Sequence, residues 1–137
     1  MFEEYINKLG KLGAQEQKDL YDLAFKLHAE ERYSDAEPLF KELLISNPFE
    51  GHYWKGYAAA LIGQMKYEAA LQAWATLALL EPNNPAPYFH SAECYYFLLN
   101  MQEALKALSQ AEEYGFYPEQ IKRLKGAIHD SKASLSY

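Results

Sequence analysis

With 137 residues, half of them hydrophobic and 15% aromatic including 12 tyrosines, the chain is long enough for one packed domain and too apolar to stay disordered. A formal net charge of −6 argues against nucleic acid or an anionic membrane as partner, because both need a basic face. A single cysteine, Cys94, excludes an internal disulfide, and no apolar run approaches the ~20 residues that span a bilayer.

Residues 1–16 carry Phe2, Tyr5, Ile6, Leu9 and Leu12 in an amphipathic pattern weakened by Gly10 and Gly13. The pattern fits a short helical arm that either caps the neighbouring helices or meets a second copy in a homodimer. It lacks the basic-then-apolar order of a secretion signal, so the chain reads as cytoplasmic. From residue 17 the sequence repeats every 34 residues. The step links Leu20, Trp54 and Tyr88; Ala24, Ala58 and Ala92; Leu27, Leu61 and Tyr95; Ala36, Ala70 and Ala104; and Phe40, Trp74 and Leu108. Large residues stay large and two columns stay alanine. This is the period of the tetratricopeptide repeat, in which each unit is a pair of antiparallel helices, A and B. The predicted fold is all-α: three such repeats at 17–50, 51–84 and 85–118, forming a short right-handed superhelix.

In the first repeat, Leu20, Leu23, Ala24 and Leu27 make one helical stripe, read as the core face of helix A. Ser34-Asp35-Ala36-Glu37 opens helix B with the form of a capping box, and Pro38 falls in its first turn. Asn47-Pro48 ends that repeat, and Pro82-Asn83-Asn84-Pro85 ends the second. In the third, Gly115 is predicted to stop helix B and Pro118 to start a last helix through about Ser131. Residues 119–137 are then a capping helix, with Ile121, Leu124 and Ile128 inward, followed by a frayed tail from Ser134.

No pattern of catalysis emerges. Gly10 and Gly13 lack phosphate-loop spacing, and Ser91 beside His90 has no base and orienting group. His90, Glu93 and Cys94 fall at i, i+3 and i+4, but no further ligand pair completes a metal site, and a lone cysteine is commonly a small buried hydrophobe. Neither an enzyme nor a cofactor is expected.

The expected functional surface is the concave side, lined by A-helix positions outside the core stripe. In the first repeat these include Tyr21, Phe25 and His28, at i, i+4 and i+7. The second supplies His52, Lys55, Gly56, Ala59 and Ile62, and the third Ala86, Phe89, His90, Glu93, Tyr96 and Phe97. Rings beside small floor residues suit an extended, partly apolar peptide. The polar clamp by which some tetratricopeptide proteins hold a chain-end carboxylate is missing: Tyr21, Phe25 and Ala59 stand in its places.

Leu20-Tyr21-Asp22-Leu23-Ala24-Phe25, Tyr33-Ser34-Asp35-Ala36 and Pro87-Tyr88-Phe89-His90-Ser91-Ala92-Glu93-Cys94 together resemble one family, the class II type III secretion chaperones. The resemblance covers roughly residues 17–115. It implies a cytoplasmic chaperone that holds a hydrophobic translocator protein by an N-terminal segment of Pro-x-Leu-x-x-Pro form and keeps it soluble until export. By position, Tyr21, Phe25 and His28 would take the first apolar anchor, with His28 replacing a more usual tyrosine, while Phe89, Glu93 and Tyr96 would line the other end. The competing readings are a needle-subunit co-chaperone of the same secretion system and a general tetratricopeptide scaffold.

Overall fold

The computed structural model describes residues 11–115 and 117–135, with side chains through Ser131. Among these there are seven helices and no strand: α1 (Ala14–Ala29), α2 (Tyr33–Ser46), α3 (Gly51–Gly63), α4 (Tyr67–Leu80), α5 (Ala86–Phe97), α6 (Met101–Glu113) and α7 (Pro118–Leu135). The predicted N-terminal arm lies outside the described residues through residue 10, and residues 11–13 are non-helical. The chain divides into two compact units, with the boundary between Lys66 and Tyr67.

The 34-residue period is visible in the backbone. After α1, α3 and α5 the chain turns through Glu31 (φ 60°), Met65 (φ 60°) and Leu99 (φ 63°), each in the left-handed region. The next residue's amide closes the turn in every case: Arg32 onto the Leu27 carbonyl (2.8 Å), Lys66 onto Leu61 (2.9 Å) and Asn100 onto Tyr95 (2.8 Å). This six-to-one bond with a left-handed residue inside it is the Schellman ending of a helix, built here without glycine.

In the first unit α2 packs against both α1 and α3. Ala24, Leu27, Ala36, Phe40, Leu43 and Ala60 are buried together, with Leu20, Tyr21, Tyr53 and Tyr57 packed around them. In the second, α5 lies against α4 and α6, and α7 docks on α5 and α6. Its core runs from Phe89 and Ala92 through Ala104, Leu108 and Ala111 to Ile121 and Ile128. The six alanines of the repeat columns, Ala24, Ala58, Ala92, Ala36, Ala70 and Ala104, are all 0% exposed. No larger side chain would fit there, which is why those columns do not vary.

Three expectations are corrected. Leu23 is 47% exposed, because the α1 face that packs inward runs through Leu20, Tyr21, Ala24 and Leu27 and leaves it outside. Ser34 is not a cap: α2 begins one residue earlier, Arg32 precedes it without a side-chain cap, and Glu37 is engaged by Lys41, Lys66 and Gln64 instead. At the other end α7 continues past Ser131 to Leu135, so Ser134 is helical. Gly115 does turn the chain (φ 74°) after α6, and Pro118 does open α7.

Candidate functional site

In the first unit, α1 and α3 face a recess of about 160 Å³. The α1 wall is Tyr21, Phe25 and His28; the α3 wall is His52, Lys55, Gly56 and Ala59; the floor is Phe40 of α2. Spacings of 4 and 7 on one wall, and of 3, 4 and 7 on the other, put each set on a single helix face. Tyr21 is braced edge-on by Phe40, with ring centroids 6.3 Å apart, and leans on Tyr53 at 5.6 Å. Phe25 continues the aromatic wall 6.3 Å from Tyr21 and is 60% exposed, an unusual position for phenylalanine in water. His28 stands edge-on to Tyr33 at 5.1 Å, and burial holds its imidazole below the ordinary histidine range, favouring the neutral ring.

The floor exists because of one glycine. A Cβ on Gly56 would lie 2.2 Å from Phe40 Cε1, so the ring occupies the space any other residue would claim. Gly63 repeats this contact two turns further along the same face, where a Cβ would lie 2.3 Å from Tyr33 Cγ. Advancing both pairs by 34 residues reaches the second unit, and there the glycines are replaced by rings. Trp74 stacks on His90 (4.7 Å, 21°), and Tyr67 stacks on Phe97 (5.0 Å, 16°). One frame thus gives a hollow in the first unit and filled surface in the second.

The second unit separates the other predicted residues. Phe89 is 6% exposed and stacked on Tyr117 (5.3 Å, 16°); its remaining edge and Glu93 border a depression of about 340 Å³. Gln120, Arg123, Leu124 and Ala127 of α7 complete that depression. His90 shares a 2.5 Å hydrogen bond with Glu93 and lies on Trp74, outside the depression. Tyr96 and Phe97 meet edge-on at 5.4 Å, with Phe97 54% exposed. Ile62 is half-buried and lines neither recess. A wider cleft of about 650 Å³, bordered by Trp74, Tyr88, Ser91, Tyr95, Glu103 and Lys106 among others, contains none of the predicted residues.

Sequence reasoning missed Phe40 as a lining residue, because its repeat column is a core column; the glycine opposite was the available signal. Cys94 is fully buried, and burial, with Glu93 adding to it, pushes its thiol up to about 12, which keeps it protonated. Among the described residues no three His, Cys, Asp or Glu side chains are grouped so as to hold a metal ion. Nor is any helix among them long and apolar enough to cross a membrane.

A tetratricopeptide-repeat family model matches residues 18–45. The chain is 26% identical over 108 residues to the low calcium response locus protein H of Yersinia pestis, an alignment covering 79% of this chain and 64% of that protein. It thus spans a little under two thirds of that relative's length. In structure it resembles PcrH of Pseudomonas aeruginosa in complex with the chaperone binding region of PopD, at TM-score 0.78 and 25% identity, over 90% of this chain and 96% of the other. It also resembles the Yersinia enterocolitica type III secretion chaperone SycD in complex with a peptide of the translocator YopD. There the TM-score is 0.80 over 88% and 97% of the two chains, and at 24% identity the likeness speaks to fold. The resemblance carried by Tyr21, Phe25 and the Pro87–Cys94 stretch therefore extends to the repeat fold itself.

Proposed function

We propose that the chain is a cytoplasmic chaperone of bacterial type III secretion, holding an extended apolar segment of a translocator protein without enzymatic turnover or cofactor. The observation that carries this reading is the recess over Phe40. Its volume of about 160 Å³ is too small for a drug-sized ligand, whose pockets run about 300–1,000 Å³, and suits one apolar side chain of a longer segment. Tyr21 and Phe25 supply the aromatic wall, Gly56 admits the Phe40 ring as the floor, and Ala59 is the small residue beside it. Solved relatives of the same fold are bound to translocator segments, which supports the same class of partner here.

The mechanism is equilibrium binding. A translocator exposes membrane-inserting apolar stretches, and docking one segment in the recess keeps the chain from aggregating before export. Calorimetry on the chain and its co-purified partner tests this. Tyr21→Ala and Phe25→Ala should each weaken binding by about 1–3 kcal/mol while far-ultraviolet circular dichroism stays unchanged. Unaltered affinity would remove the recess from the mechanism, and recovery of a small helical needle subunit would replace the translocator as cargo.

A further inference from the structure

The depression between α5 and α7 has the chemistry of a second recognition site. Its base is apolar: the edge of Phe89, Leu124 and Ala127. Leu124 lies between Ile121 and Ile128, which are 3% and 1% exposed, yet is itself only half-buried because it borders this opening. The rim is polar, with Glu93 on the α5 side and Gln120 and Arg123 on the α7 side.

The charges are unequally engaged. Glu93 is hydrogen-bonded to His90, and Lys125 of α7 is paired with Glu112. Arg123 has no ion-pair partner among the described residues, and Lys122 beside it has none either. A chain of net charge −6 thus leaves a free guanidinium at the mouth of an apolar depression. Arginine's planar donors match a carboxylate in two-point contact.

We propose that this depression binds a peptide segment carrying an apolar side chain next to an acidic one, the apolar group on Phe89 and Leu124 and the carboxylate on Arg123. An internal acidic residue fits better than a chain end. A terminal carboxylate calls for donors on two sides, and the rim facing Arg123 offers Glu93, an acceptor. The inference rests on the reading that the chain holds extended cargo segments, and adds an acidic residue to what such a segment contains.

The test is nuclear magnetic resonance titration of the full chain with three synthetic peptides. The first is acetyl-Ser-Ala-Leu-Glu-Ala-Ser-amide, the second replaces its Glu with Gln, and the third is acetyl-Ser-Ala-Ala-Leu with a free carboxylate. The first peptide should move the Leu124 methyl and Arg123 side-chain signals and bind about three- to fivefold more tightly than the second, as expected of an exposed ion pair. R123Q should make the first two equal without changing the melting temperature, and R123K should keep a preference for the first. Equal binding of the first two to the unaltered chain, or a preference that survives R123Q, overturns the proposal, as does tightest binding of the third. None of these outcomes bears on Tyr21 and Phe25, whose variants test the cargo reading separately.

Discussion

Gly56 determines more than its size suggests. Phe40 is 1% exposed, and a Cβ on Gly56 would arrive 2.2 Å from its ring, so the ring would have to shift toward the recess it lines. Gly56→Ala should therefore destabilise the fold by about 1–3 kcal/mol, seen in chemical denaturation, and also narrow the recess enough to weaken cargo binding. A variant of unchanged stability would mean that the ring has room the packing does not reveal. Leu99 presents the opposite case. It is 74% exposed and held at φ 63°, a conformation that is unfavourable for any residue with a Cβ. Leu99→Gly should raise stability by about 0.5–1 kcal/mol, measured as a shift of the denaturation midpoint at constant slope.

At the scale of elements, Glu37 ties α2 to the turn after α3. Its carboxylate accepts from Lys66 (2.9 Å) and Gln64 (2.9 Å), pairs with Lys41 at 3.2 Å, and its side chain is 13% exposed. Burial alone would raise this carboxyl, but hydrogen bonds from Lys66, Gln64 and Lys41 outweigh burial and hold it below the ordinary glutamate range. The linkage has a definite sign. A depressed carboxyl stabilises fully above its unfolded value near 4.5, and that contribution disappears as pH falls through the folded value. Glu37→Gln should cost about 1 kcal/mol at pH 7 and progressively less as the pH is lowered below 4.5, in urea titrations across that range. The same residue shows where a sequence is legible. Spacing alone placed Ala36, Ala70 and Ala104 in the core, since a fixed period writes out its packing rule in each copy. The Ser34 box failed because spacing cannot tell which partner wins a carboxylate, and Lys66 is 29 residues away in the chain. Of the hollow over Phe40, the walls were legible as one surface, Tyr21, Phe25 and His28 with His52, Lys55, Gly56 and Ala59, but the floor was not: Phe40 enters through a contact between two helices, at Gly56.

For the whole molecule, the decisive quantity is the kind of free energy its partner contributes. An acidic chain with an aromatic recess should gain affinity from buried apolar surface, not from released counterions. The two origins differ in their response to salt. A protein that neutralises six to ten phosphates loses roughly 10³–10⁵ in affinity between 50 and 200 mM salt. Docking of an apolar side chain against Tyr21 and Phe25 removes no counterions, and Lys55 is the one Lys or Arg in the lining of the recess. Cargo binding followed by fluorescence anisotropy should therefore change by less than about threefold between 50 and 500 mM NaCl, the scale of one exposed charge contact. Calorimetry adds an independent sign, because burial of apolar surface makes the binding enthalpy more negative as temperature rises. A steep loss of affinity with salt, together with a temperature-independent enthalpy, would place the interaction on charged surface and make the recess over Phe40 incidental.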